Sequence, residues 1–321
     1  MPETSSLGRG HLSGLALVMC AAAFWAAVGV VSRLVPPEFA IPDEVYGFAR
    51  TIVAGPAMLL MALVTGSTRK VKASVSGSSG FLLFGISCAI FQVCLFRSFT
   101  LLGVTITVFL TVCLPPVIAV FWSLRKIGEP ISRQVLLALA ISTMGLLAFV
   151  SIDTASGHPL DLTLGLALSL LASAAFVLMT NAARSLSVDY SPIFVSGLGL
   201  VIASLVLAPA AMTIAPHGLM HLRAAMGDWR SLSVLIYLGL GPTALAYVCY
   251  CAGMARCRSA VAGLVASMIE PAVAAGLAFL FLNETLTAWQ TLGCLMLLTA
   301  IVILWLDEQR SSVAAAIATQ S

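Results

Sequence analysis

Long apolar runs broken by short polar intervals set the plan of this chain. They predict ten helical spans: Leu12–Val35, Val45–Thr65, Gly80–Leu101, Val104–Leu124, Ser132–Ile152, Leu162–Leu186, Ser191–Ile214, Leu232–Ala255, Ser259–Leu282 and Leu286–Leu306. A helix needs ~20 apolar residues to cross a hydrocarbon layer of ~30 Å, and each run is near that length. The intervals hold residues that end helices. Pro36-Pro37-Glu38 and Pro42-Asp43-Glu44 part the first two spans, because proline stops a helix and drives the preceding residue to extended geometry. Gly103 alone parts the third span from the fourth. Residues 1–11 are polar and expected to be disordered, Ala215 to Arg230 to form a loop, and the tail from Asp307 to be floppy. The fold class expected is an all-α, polytopic membrane protein.

Composition sharpens this reading. Of 321 residues, 60% are hydrophobic and only 9% are charged, against about 25% charged in a soluble domain. The net charge of +3 is small and its basic residues are scattered, so nucleic acid is excluded as a partner. The first apolar run is longer than the 7–15 residues of a signal-peptide core and reads as a membrane span. Seven of the eight cysteines lie inside apolar runs and Cys257 at the edge of one, as packing residues do, and no disulfide framework is implied.

The ten spans fall into two sets of five that resemble each other. Gly14-Leu15-Ala16-Leu17 matches Gly165-Leu166-Ala167-Leu168, and at the same offset Arg33 falls on Arg184. At a slightly larger offset Val93-Cys94 falls on Val248-Cys249, Pro116 on Pro271, Glu129 on Glu284 and Ser132 on Thr287. A near-constant offset in one order reads as an internal duplication. The expected organisation is a tail at 1–11, a first repeat at 12–152, a connection at 153–161, a second repeat at 162–306 and a tail at 307–321. An odd number of spans per repeat makes the second copy enter from the opposite face, so the repeats are expected to be inverted. With both termini cytoplasmic, eleven of the sixteen Lys and Arg residues lie inside and three outside, which obeys the positive-inside rule.

Charge within a span is expensive and usually faces a bundle interior or aqueous cavity. Glu270 sits ~16 Å into its span at 1.5 Å per residue, near the membrane midplane. Its repeat mate is Pro115, so the acid is unshared. Pro271 follows it, removes a backbone donor and is expected to bend or open the helix. A carboxylate beside freed carbonyls can bind an amine, a cation or a coupling proton. It can equally be a protonated acid or an ion-pair partner that fixes helix packing. Arg50 can attract a carboxylate or can snorkel to the outer interface. Arg97 reads as a snorkelling residue. Trp25, Gln92, Thr105, Thr107, Asn181, Tyr247 and Tyr250 are the uncharged groups available to line a path or to bond between helices. Glu129 and Glu284 precede Ser132 and Thr287, each of which opens a helix, and read with them as structural turns. His217 and His221 lack companion ligands for a metal site. No hydrolase or nucleotide-binding motif is present, so neither an enzyme nor an ATP-driven pump is expected.

These features together resemble the EamA family of the drug/metabolite transporter superfamily. The resemblance rests on Glu129-Pro130-Ile131-Ser132, Glu284-Thr285-Leu286-Thr287, Phe24-Trp25, Phe48-Ala49-Arg50 and Glu270-Pro271-Ala272-Val273-Ala274-Ala275. Thr51 departs from the usual pattern, in which Phe follows the arginine. The resemblance implies a secondary transporter of the cytoplasmic membrane, often an exporter of amino acids or other small metabolites. It also implies a central cavity inside the first, third, fourth, sixth, eighth and ninth spans. The expected function is alternating-access transport of such a solute, with Glu270, Arg50, Trp25, Gln92, Tyr247 and Asn181 as site residues; the alternative is a passive channel. Expected partners are the solute, a coupling proton, the lipid bilayer and, as homodimer, a second copy; neither a cofactor nor a metal is expected.

Overall fold

The computed structural model describes residues 4–32, 41–67, 77–125, 131–148, 159–214, 218–282 and 287–318. Every regular element among them is helical. In order they are α1 (Thr4–Ser32), α2 (Asp43–Val64), α3 (Gly77–Leu102), α4 (Val104–Arg125), α5 (Arg133–Leu147), α6 (Pro159–Asp189), α7 (Pro192–Ile214), α8 (Gly218–Gly227) and α9 (Trp229–Gly239). A π-helical turn at Leu240–Leu245 then leads to α10 (Ala246–Arg256), α11 (Ala260–Ser267), α12 (Glu270–Leu282) and α13 (Ala288–Ala318). Eight spans among the described residues are long and apolar enough to cross a membrane, and Leu12–Val28 and Arg133–Leu147 are shorter apolar helices. Two of the eight are composite, α9 to α10 and α11 to α12. The chain is a polytopic all-helical membrane protein.

Local chemistry explains where the helices stop and start. Gly66 and Gly103 adopt φ of 65° and 80°, the left-handed region open to glycine, and let α2 end and α3 turn directly into α4. Ser132 caps α5 by accepting from the Val135 N–H at 3.1 Å. Its repeat mate Thr287 caps α13: Gln290 N–H donates to its hydroxyl and Gln290 Oε1 accepts from its N–H, a reciprocal capping box. Asp228 caps α9 and accepts from both the N–H and the hydroxyl of Ser231 at 2.8 Å, which holds its carboxyl below the usual range. Pro242 has no N–H to donate, and the helix widens to a π turn in which Thr243 Oγ1 bonds the Leu238 carbonyl at 2.7 Å. Glu129 and Glu284 lie outside the described residues.

Three segments expected to be irregular are helical. Helix α1 begins at Thr4, and its polar first turns, with Gly8 and Gly10 tolerated in them, extend the helix beyond its apolar stretch. The stretch expected as a loop contains α8. Gly218, Leu222 and Ala225 lie on one face of it, and Leu222 and Ala225 pack with Ile41, Val45 and Ala49 of the α2 end and Leu235 of α9. His221 and Arg223 occupy its exposed side, which is why its composition reads as loop. The tail continues α13 to Ala318, and Asp307 and Glu308 are 8% and 4% exposed. Ser132 Oγ donates to Asp307 Oδ2 at 2.6 Å, tying the start of α5 to the end of α13.

Packing between the two halves exchanges in pairs. Helix α1 packs on α10, and the corresponding helices α6 and α3 pack on each other. Helix α1 also meets α12 while α6 meets α4, α2 meets its mate α7, and α5 meets its mate α13. The two exchanged contacts use the same small residues. A Cβ on Gly14 would lie 2.9 Å from the Cys257 nitrogen, and one on Gly253 would lie 2.8 Å from the Gly14 carbonyl oxygen. In the other copy of this contact Ser98 Oγ donates to the Gly165 carbonyl at 3.3 Å. Small residues let helix backbones approach in lipid, where burial from water does not drive association.

Gly253→Ala should therefore lower the thermal midpoint of the purified protein, by an overpacking cost of about 1–3 kcal/mol. Gly276→Ala in α12 meets nothing within 4 Å and should leave the midpoint unchanged or raise it. Equal midpoints for the two variants in a detergent melt would contradict this packing.

Candidate functional site

The site begins with the interrupted span formed by α11 and α12. Pro271 cannot donate to the Ser267 carbonyl one turn back, and α11 ends there. Met268 N–H turns to the Val265 carbonyl at 3.1 Å, Ser267 Oγ donates to the Leu264 carbonyl at 2.7 Å, and α12 restarts with Glu270 as its first residue. The carbonyl end of one short helix and the N–H end of the next thus meet inside a membrane span, with partial charges of opposite sign. The first repeat differs: Pro115 and Pro116 lie inside α4, which runs unbroken from Val104 to Arg125.

Arg50 of α2 lies within electrostatic range of Glu270, Tyr247 and Cys88. Among the described residues, no ion pair joins Arg50 to Glu270, and neither side chain has a hydrogen-bond partner; the buried Arg50 Nε is unpaired. The two opposite charges are close enough to feel each other and are not in contact.

A polar relay lies beside Arg50. Gln92 of α3, 2% exposed, donates through Nε2 to Cys88 Sγ at 3.6 Å, and Cys88 Sγ meets the Tyr247 hydroxyl at 3.4 Å. Gln92 Oε1 is left to pack on Gly47, where an added Cβ would lie 2.8 Å from it. Gly47 is three residues before Arg50, so one face of α2 offers both the guanidinium and the gap that admits Gln92.

Aromatic rings form the adjoining wall. Trp25 of α1 contacts Tyr250 at 5.2 Å, Tyr247 at 5.6 Å and Phe176 at 6.2 Å between ring centroids. Tyr250 is fully buried and shares a hydrogen bond with Thr180 of α6. Asn181, the next residue, points its amide nitrogen back to the Val177 carbonyl at 3.0 Å. Thr107 likewise bonds within its own helix, to the Gly103 carbonyl at 2.8 Å.

The structure thus gathers Trp25, Arg50, Gln92 and Tyr247, with Arg50 within range of Glu270. Asn181 is occupied by its own helix, Arg97 is exposed, and Ser132, Thr287 and Pro116 serve helix architecture elsewhere. Among the described residues no group of three or more His, Cys, Asp and Glu is placed to hold a metal ion. Sequence reasoning missed Gly47, Cys88, Phe176 and Thr180. Cys88 and Gly47 carried a usable signal, since Cys88 lies one turn from Gln92 and Gly47 one turn from Arg50.

Comparison with known proteins identifies the family and the fold. The EamA-like transporter family matches the chain twice, over residues 12–151 and 163–306. The uncharacterized transporter YwfM of Bacillus subtilis is 24% identical over 298 residues, covering 92% of this chain and 94% of that protein. An uncharacterized transporter of Archaeoglobus fulgidus is 27% identical over 180 residues, covering 56% and 59% of the two chains. A protein crystal structure at 14% identity has a TM-score of 0.75 and covers 93% of this chain and 98% of its own, which shows a shared fold.

The Gly47–Gln92 contact is open to a double-mutant cycle. Gly47→Ala should lower the thermal midpoint, and adding Gln92→Ala should recover part of the loss, with a coupling of about 0.5–3 kcal/mol. Strict additivity would show that Gln92 does not fill that gap.

Proposed function

This chain belongs to the EamA-like transporter family, and from that premise we propose that it is a secondary carrier exporting an amino acid or related zwitterionic solute across the cytoplasmic membrane. The observation that carries the reading is the unbridged pair of Arg50 and Glu270. Opposite charges in a low-dielectric interior attract strongly, and an isolated one is costly to bury. A solute with a carboxylate and an ammonium group satisfies both at once. Its carboxylate faces Arg50, and its ammonium faces Glu270 and the carbonyl end of α11. Trp25 and Tyr247 supply the apolar wall on which a side chain packs.

Transport proceeds by alternating access. The two five-span repeats are inverted about an axis in the membrane plane, and rocking of one against the other exposes the site to each side in turn. The exchange of α1–α10 and α6–α3 contacts supports this reading, because a two-fold relation requires such pairs. Both termini are cytoplasmic, in keeping with the excess of Lys and Arg on that side. When the solute leaves, Glu270 takes up the coupling proton, which removes the buried charge.

Glu270→Gln is expected to abolish solute transport, or to uncouple it from the proton gradient, while expression and detergent stability stay near wild type. Undiminished coupled transport would contradict the assignment, and loss of folding would make Glu270 a packing residue. In reconstituted vesicles internal solute should accelerate uptake from outside, as a carrier requires; a passive pore shows no such trans-stimulation.

A further inference from the structure

A groove of about 220 Å³ opens between α1 and α13, and Arg50 is not among its lining residues. Leu12, Ala16 and Met19 of α1 form one wall, Val302 and Trp305 of α13 the other, and Ala266 of α11 lies at its back. The lining is almost wholly apolar. Leu12 to Met19 is about 10 Å along a helix axis, so the groove runs along part of one leaflet. Ala266 is the next-to-last residue of α11, which brings the groove close to the α11–α12 break.

The charges at one end of this groove are sorted. Exposed Arg310 follows Trp305 on α13, and exposed Arg256 and Arg258 precede α11. Arg256 packs on Gly14, next to the groove-lining Leu15, where an added Cβ would lie 3.0 Å from the arginine Cβ. The acids of α13 near this end are turned inward: Asp307 is held by Ser132, and Glu308 is buried within the field of Cys257. Among the described residues Arg256, Arg258 and Arg310 make this end cationic, and the slot beneath it is apolar.

We propose that this groove is a binding site for an anionic phospholipid. One acyl chain lies between α1 and α13, and the headgroup phosphate sits against Arg310 and the Arg256–Arg258 corner. Each buried methylene favours the chain, and each arginine near an anionic headgroup favours the charge. Occupied, the slot supports α11 from the lipid side and stabilises the conformation in which α11 packs on α1. The proposal does not depend on what Arg50 and Glu270 bind.

The test uses the full chain in detergent, titrated with phosphatidylglycerol or phosphatidylcholine. Native mass spectrometry counts retained lipid, and a thermal melt reads stabilisation. Wild type should retain phosphatidylglycerol in preference to phosphatidylcholine and gain a higher midpoint from it. Ala16→Phe, which fills the slot from an exposed position, should lose both effects and keep the lipid-free midpoint. Arg310→Gln should still bind lipid but lose the preference. Leu137→Phe, on an exposed face of α5, should behave as wild type. The proposal is overturned if Ala16→Phe retains phosphatidylglycerol as wild type does, or if wild type retains the two lipids equally. Should Ala16→Phe melt early without lipid, Val302→Phe on the opposite wall carries the same test and is read the same way.

Discussion

A charge buried inside a membrane span costs at least about 2.5 kcal/mol on insertion scales, and this chain keeps two within each other's field without letting them touch. Much of the central architecture bears on that arrangement. The break at Pro271 gives Glu270 a helix N-terminus, whose partial positive charge suits a carboxylate. The relay from Tyr247 through Cys88 to Gln92 lies beside Arg50, and Trp25 packs on Tyr247 from the other side. Collapse of Arg50 onto Glu270 would satisfy both groups and leave nothing for a solute to bind. On the proposed function, holding them apart is a state that a ligand relieves.

The two repeats share a frame, and the difference that bears on Glu270 lies at one helix. The frame shows in the exchanged contacts, in the close approach at Gly14 and Gly253 set against Ser98 and Gly165, and in the matching caps at Ser132 and Thr287. The difference lies between α4, continuous through two prolines, and its counterpart, divided into α11 and α12. Proline alone does not divide the span, because Pro115 and Pro116 are accommodated. What distinguishes the second copy is an acid at the restart; a hydroxyl bonded to a carbonyl one turn earlier precedes the proline in both, Ser267 here and Thr111 in α4. Duplication supplies the frame, and divergence at this helix supplies a buried acid in the second copy, where the first has Pro115.

Much of this was legible in the sequence for a physical reason. Apolar runs of membrane length can only be helices in lipid, because every backbone group must be bonded within its own segment. The spans, the repeat offset, the helix-opening Ser132 and Thr287 and the opening at Pro271 all follow from local rules. Other features depend on what the chain meets after folding. Helix α8 reads as loop because its apolar face is narrow and takes meaning only against Ile41, Val45 and Ala49. The polar tail reads as solvent-exposed, yet Asp307 is drawn in by Ser132, which is distant in sequence. Asn181 reads in sequence as an amide available to the interior, and one of its N–H groups is bonded within its own helix. Cys88 reads in sequence as a packing residue and joins Gln92 to Tyr247, a role visible only once the Tyr247 ring of α10 reaches α3.

The central claim is that Arg50 and Glu270 bind the two ends of one zwitterionic solute, and blocked analogues test it most directly. Thermal stabilisation of the purified protein would be measured with a panel of amino acids, their carboxamides and their N-acetyl derivatives. Zwitterions should stabilise the wild type, and both singly blocked series should fail to do so. Arg50→Gln should no longer distinguish an acid from its carboxamide, and Glu270→Gln should no longer distinguish an amine from its N-acetyl form. Stabilisation of the wild type by blocked analogues as strong as that by the parent zwitterions would contradict this claim.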